Sequence, residues 1–374
     1  MATRIGLVRV GPSRIGPTRS GPTRIGLARR RLIGQGALAA TALLASPYVA
    51  RPASAADDVL YVNTWGGAWT TAIQAAYFAE FTAATGARVR TVEPVSFAKL
   101  KAQLQSGVYE WDVSDFASIA FYQAQGAGLL EPVDRSAIDP AAYAAGHITD
   151  HGVPGHALGT CIAYRRDKFP QGGPRSWADF WDVKKFPGDR SLYNQSYSNL
   201  EFALLADGVP KDELFPLDVD RAFRKLDQIK PHIKVWWTQA TQSRQLLGDG
   251  EVDMIAIWNA HAQLLVDQGL PVEIVWNQAQ KQTGWWFAAK GTPRAKLAWR
   301  FLDIVARPKP QAEFARRMFY GPSNPAAYQF LSPEVAQKMP TNPAYAALTF
   351  EPDAQWLAPR VAELDERFAQ WLAG

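Results

Sequence analysis

Val59-Leu60-Tyr61-Val62-Asn63-Thr64-Trp65-Gly66-Gly67-Ala68-Trp69 begins as a buried strand, stops at two glycines and turns straight into a helix. In an open α/β sheet, ligands sit beyond the carboxyl ends of the strands, beside helix N-termini. This turn supplies a large aromatic, Trp65, free backbone N–H groups, and room at Gly66 and Gly67 for a close approach. An indole in a packed core would account for Trp65 equally well. The choice turns on whether similar strand ends recur.

They do. Ile73, Tyr77 and Phe81 recur at four-residue steps on a helix ending near Gly86, and Arg88–Val92 reads as the next strand. A helix from Phe97 closes at Gly107, and Trp111–Phe116 is a third strand. Such βαβαβ alternation predicts a mainly parallel, doubly wound sheet. Further strands are expected at Ala157–Tyr164, Arg190–Asn194, Ile233–Trp237, Val252–Trp258 and Val272–Trp276. Helices are expected between them, one capped by Ser176, and the chain from Pro293 should be largely helical.

The formal charge of +5 misleads. Residues 1–55 hold nine arginines and no acid; without them 31 basic residues face 35 acidic ones, a net charge of −4. Nothing there predicts nucleic-acid binding. Arginine recurs every five residues from Arg4 to Arg29 among Gly and Pro, a composition that builds no core and reads as a disordered extension. Arg29-Arg30-Arg31-Leu32-Ile33-Gly34 then resembles a twin-arginine export pattern, followed by an apolar run and the small-residue site Ala53-Ser54-Ala55. Cleavage near Ala55 would leave a soluble chain, because the run is interrupted too early to span a bilayer.

Cys161 is the single cysteine and, set beside Ile162-Ala163-Tyr164, reads as a buried strand thiol. His147, Asp150, His151 and His156 match no compact zinc spacing and read as exposed loop residues. The sequence carries no Gly-x-Ser-x-Gly, P-loop, HExxH or GxGxxG after a strand, so no catalytic residue, metal or cofactor is expected.

The resemblance of the whole becomes specific when the pieces are taken in order. They are Leu60–Trp65 before a helix, Gly107–Asp112, Gly128–Pro132, Val153–Tyr164 and Ser176–Trp181, then Gly250–Asn259 and Leu331–Ala336. The chain resembles the periplasmic solute-binding proteins of ABC importers, in the spermidine/putrescine-binding branch. The resemblance implies an α/β, two-lobe type II periplasmic-binding-protein fold, each lobe a mainly parallel sheet flanked by helices, with two interlobe crossings near Gly159-Thr160 and Val272–Trp276. It places lobe one at residues 57–158 and 275–320, and lobe two at 159–274 and 321–374. It implies a monomer that closes on a small solute and delivers it to inner-membrane ABC permease subunits.

Polyamine binders of that family wall the ligand with aromatics and hold its ends with acids. The resemblance puts Trp65, Trp258 and Trp285 or Trp286 in the cleft, with Trp237 nearby. Thr64, Thr160, Asn194, Ser196, Asn199 and Asn259 would supply hydrogen bonds, and His261 and Asn324 further contacts. The family's acids are largely replaced: Gly66-Gly67 follows Trp65, Asn194–Asn199 stands where an acidic stretch is expected, and Ala288 where an aspartate is. Asp115 remains for charge pairing, with Glu201 a weaker choice. A bare dication without carboxylates would bear a large desolvation cost. The expected solute is therefore a small polar amine-containing molecule, polyamine-like, a monoamine, an amine that also carries a carboxylate, or an opine-like conjugate, with Gly66-Gly67 suited to a carboxylate or phosphate oxygen. A secreted hydrolase on a bilobal scaffold and a metal-binding receptor are the alternatives.

Overall fold

The computed structural model describes residues 59–138, 143 and 148–374. The leader, its cleavage site and His147 lie outside the described residues. None of the described helices is long and apolar enough to cross a membrane.

The opening stretch folds as read. β1 (Val59–Asn63) buries Val59, Leu60 and Val62, and ends where Gly66 and Gly67 take φ of 93° and 55°. Only glycine enters that region cheaply. The following helix runs as α1 (Gly67–Ile73), a π-turn (Gln74–Phe78) and α2 (Ala79–Thr85). A strict four-residue spacing drifts off one face of a 3.6-residue helix; the wider π-turn brings Ile73, Tyr77 and Phe81 back into register, and all three are buried. Gly86 then closes the helix in the left-handed conformation.

The remaining elements in chain order are β2 (Arg88–Val92), α3 (Phe97–Ser106), β3 (Val113–Ala117), α4 (Ser118–Gly126), β4 (Val153–Arg165), α5 (Trp177–Trp181), β5 (Arg190–Tyr193), α6 (Ser196–Ala206) and α7 (Val219–Ile229). They continue with β6 (Ile233–Trp237), α8 (Ala240–Gly248), β7 (Met254–Trp258), α9 (Asn259–Asp267), β8 (Val272–Ala288), α10 (Ala295–Ala306) and α11 (Pro308–Met318). Last come β9 (Gly321–Pro322), α12 (Pro333–Ala336), α13 (Ala354–Leu357) and α14 (Val361–Ala373). Ser176 caps α5 through its hydroxyl, which accepts from Asp179 N–H at 3.1 Å.

The sheet order is β2-β1-β3-β8-β4-β7-β5-β6, with β9 on β4. β1, β2 and β3 are mutually parallel, as are β5, β6 and β7; the long β4 and β8 pair antiparallel between the two sets. β3 runs against β8 and β7 runs against β4. The carboxyl ends of both parallel sets therefore point at each other across the middle of β4 and β8, the position that α/β sheets use for ligands.

One expectation changes in length. β8 does not end at Trp276 but continues to Ala288. Its middle, Asn277-Gln278-Ala279-Gln280-Lys281-Gln282-Thr283, looks like a loop because it crosses between two cores and has mostly polar residues to present. Beyond it, Trp285, Trp286 and Phe287 re-enter a core. A second difference concerns residues after 321. Ala327, Leu331 and Met339 pack with Ala312 and Ala315 of α11, and the chain joins the other core only with Phe350, Leu357, Leu364 and Phe368.

Candidate functional site

The carboxyl edge of the first parallel set is built on a polar scaffold. Asn63 donates to the carbonyls of Val92 and Pro94 and accepts from Ser114 Oγ, tying the ends of β1, β2 and β3 together. Thr64, fully buried, meets Thr70 Oγ1 at 3.0 Å. Trp65 is 50% exposed, and its Nε1 donates to Asp115 Oδ1 at 3.0 Å. A solvated indole held by a directional bond is a ready stacking surface.

Asp115 lies beneath that ring, on β3, only 1% exposed. Burial pushes its carboxyl up to about 8, against the pull of the Trp65 hydrogen bond. Burial thus disfavours its charged form, and one of its oxygens is already held by Trp65. His156 Nε2 stands 3.9 Å from Asp115 Oδ2, too far for a hydrogen bond. His156 is not in an exposed loop as expected: it sits on β4, buried, with desolvation pushing it down to about 3. Its ring crosses over Gly284 of β8, where a Cβ would lie 2.1 Å from His156 Cε1. Tyr320 stacks on the imidazole at 5.7 Å, and burial, then Asp115, pushes its hydroxyl up to about 12. Burial opposes the charged form of each of these three groups.

The helix start at Gly66 is already occupied by the chain's own carboxylate. Glu93, just beyond β2, accepts from Thr70 Oγ1 at 2.7 Å, and its Oε2 lies 2.9 Å from where a Gly66 Cβ would be. The seat expected for a ligand anion thus holds an exposed side-chain acid that the sequence reading missed.

The opposite edge spends most of its polar groups inside the fold. Asn259 accepts from Gly159 N–H and donates to the carbonyls of Phe319 and Lys338. Asn199 donates to the carbonyls of Tyr193 and Gln195, Ser196 donates to Asp365, and Asn324 caps a 3₁₀ turn while donating to Ala306 O. Trp237 is buried, stacked on Tyr193 at 4.2 Å, with Nε1 on Ala256 O. On the first side, Trp286, paired with Asp115 between β3 and β8, is also core, between Tyr77 and Phe301. Thr160, paired with Trp258, is buried. These side chains have structural employment, which a strand-end position in sequence does not reveal.

What remains available there is Asn194, exposed after β5, together with Trp258 and His261, both half-buried with ring centroids 6.1 Å apart. Desolvation, then the nearby Arg244, pushes His261 down to about 4. Arg244, on the second turn of α8, has no carboxylate partner among the described residues. Glu201 is fully buried, its carboxyl pushed up to about 8 by desolvation while Gln280 donates to it. Along the crossing strands, Trp285 donates to Ser118 Oγ and lines a cavity of about 440 Å³ with Tyr122, Thr283, Lys281 and Glu351. Among the described residues no group of three His, Cys, Asp or Glu is placed to hold a metal ion. Cys161 is a buried, free strand thiol.

Residues 76–346 match the model of the bacterial extracellular solute-binding proteins. The gamma-aminobutyric acid-binding protein of Pseudomonas aeruginosa is 35% identical over 86% of this chain and 93% of its own. The spermidine/putrescine-binding periplasmic protein of Escherichia coli is 24% identical over 72% and 79%. A solved ABC transporter substrate-binding protein from Bradyrhizobium japonicum superposes with a TM-score of 0.80 at 37% identity, covering 84% of this chain and 99% of that one.

Proposed function

We propose that this chain, which belongs to the bacterial extracellular solute-binding protein family, takes as its solute a small molecule bearing an amine at one end and a carboxylate at the other. It is a substrate-binding component of an ABC transporter. The observation that carries the reading is Arg244, a half-buried guanidinium on α8, the helix that follows β6, close to His261 and without a carboxylate partner among the described residues. A free guanidinium suits a planar carboxylate, and an exposed indole suits methylenes and a cationic head. A simple diamine would meet Arg244 as a like charge. The similarity to a gamma-aminobutyric acid-binding protein supports the same class.

In the same reading the protein is exported and trimmed near Ala55, acts as a monomer in the periplasm, and returns its solute chemically unchanged to the permease. Residues 57–158 and 275–320 move against 159–274 and 321–374, by bending where β4 and β8 cross. A thermal-shift screen of the purified protein against ω-amino acids of three to six carbons, opine-type conjugates, diamines and fatty acids tests this. A ligand at 100 times its Kd adds about 2.7 kcal/mol of stability. The reading expects hits among the doubly functional molecules, abolished by Arg244→Met; hits confined to diamines would overturn it.

A further inference from the structure

We infer that Glu93 is the carboxylate that recognises the solute's ammonium group, and that Gly66 and Thr70 exist at this turn to hold it there. The inference rests on the amine-and-carboxylate reading above and names the group that reads the amine end. Of the acids near Trp65, Asp115 lies under the indole with one oxygen committed to it and almost no exposure. Glu93 is exposed, at the carboxyl end of β2, and accepts one hydrogen bond, from Thr70. Thr70 is in turn set by Thr64, buried beneath the turn. A relay from the buried strand end to the exposed carboxylate therefore fixes where Glu93 points.

Gly66 completes the seat. Any Cβ there would come within 2.9 Å of Glu93 Oε2, so a side chain would drive the carboxylate off the helix start. With φ at 93° the same position disfavours other residues on backbone grounds. No salt bridge among the described residues involves Glu93, whose side chain is exposed beside Gly66, the residue after Trp65. A solute lying along this turn has the exposed Trp65 indole for its methylenes and the Glu93 carboxylate for its ammonium group. A carboxylate held at this turn disfavours an anionic group of the solute there and favours a cationic one. That orients a two-ended solute with its amine toward β1 and β2 and its carboxylate toward Arg244.

The test compares 4-aminobutanoate with butanoate, equal in chain length and lacking only the amine, by calorimetric titration. In the wild-type protein the amine should improve affinity. Glu93→Gln should lower affinity for 4-aminobutanoate 10- to 100-fold, leave butanoate unchanged, and keep the unfolding midpoint of the empty protein. Thr70→Val should cost three- to tenfold in the wild-type background and nothing further in the Glu93→Gln background, because it acts only through Glu93. An unchanged preference for the amine in Glu93→Gln would overturn the role of Glu93 alone. Equal losses from Thr70→Val in both backgrounds would overturn the seat. A wild-type protein blind to the amine would overturn the underlying functional reading as well.

Discussion

At the edge formed by β1, β2 and β3, Trp65 is half exposed and Glu93 has no cationic partner; at the edge formed by β5, β6 and β7, Trp237 is stacked in a core and the amides of Asn199 and Asn259 serve the backbone. Both edges follow the same rule of construction, parallel strands ending at helix starts. The difference lies in hydrogen-bond accounting. A polar side chain whose donors and acceptors are matched inside the fold has little left for a solute, because freeing it would leave a buried partner unpaired at a cost of about 1–3 kcal/mol. The second edge keeps Arg244, Asn194, Trp258 and His261 for external use. In the proposed reading the two sides also differ in sign: carboxylate and indole on one, guanidinium on the other.

The sharpest way to break this comparison is to truncate matched and unmatched residues side by side. Asn259→Ala removes three hydrogen bonds among buried backbone groups and should cost about 2–4 kcal/mol of stability, read by denaturant unfolding. Affinity per folded molecule should be unchanged; a selective loss of affinity with normal stability would return Asn259 to the solute. Trp65→Ala should behave oppositely, weakening solute binding by about 1–3 kcal/mol in a calorimetric titration. Its stability cost should stay below that of Asn259→Ala, about 1–2 kcal/mol, since half of the residue is already in water and one hydrogen bond, to Asp115, is lost.

Asp115 gives the smallest and most particular effect. Its folded-state carboxyl is raised to about 8 while an unfolded one titrates near 4, so the native state keeps a proton that the unfolded state has lost. The resulting penalty is absent below about pH 4, grows as pH rises, and levels off above about 8. Asp115→Asn keeps an acceptor for Trp65 Nε1 and removes the penalty. It should stabilise the empty protein by about 1–3 kcal/mol at pH 8 and by almost nothing at pH 4. A variant destabilised at both pH values would show that Asp115 is ionised in the fold and would reopen its pairing with the solute.

Much of the architecture was legible in the sequence because it rests on local signals. The glycines at 66, 67, 86 and 107 end elements where expected, and Ser176 caps where expected. The middle of β8 was not legible, since a strand crossing between cores loses the apolar alternation that betrays strands elsewhere. His156 was read as a loop residue because Pro154 and Gly155 precede it. In the fold those residues lie within β4, and Gly284 on the neighbouring strand makes the room that admits the imidazole. Glu93 was passed over for a related reason. It follows a strand with little buried surface, and its meeting with Gly66 joins residues 27 positions apart, a proximity set by β1–β2 pairing rather than by any motif. The site was thus half legible: the sequence marks strand ends, and only the folded chain shows which side chains there are still free.

The central claim is that the cleft sorts charge, with acid on one edge and arginine on the other. Calorimetric titration of 4-aminobutanoate and butane-1,4-diamine at pH 7 tests it most directly, because the two differ only in the group meant for Arg244. The account predicts binding of the amino acid at least tenfold tighter than the diamine. Equal or tighter binding of the diamine would contradict it.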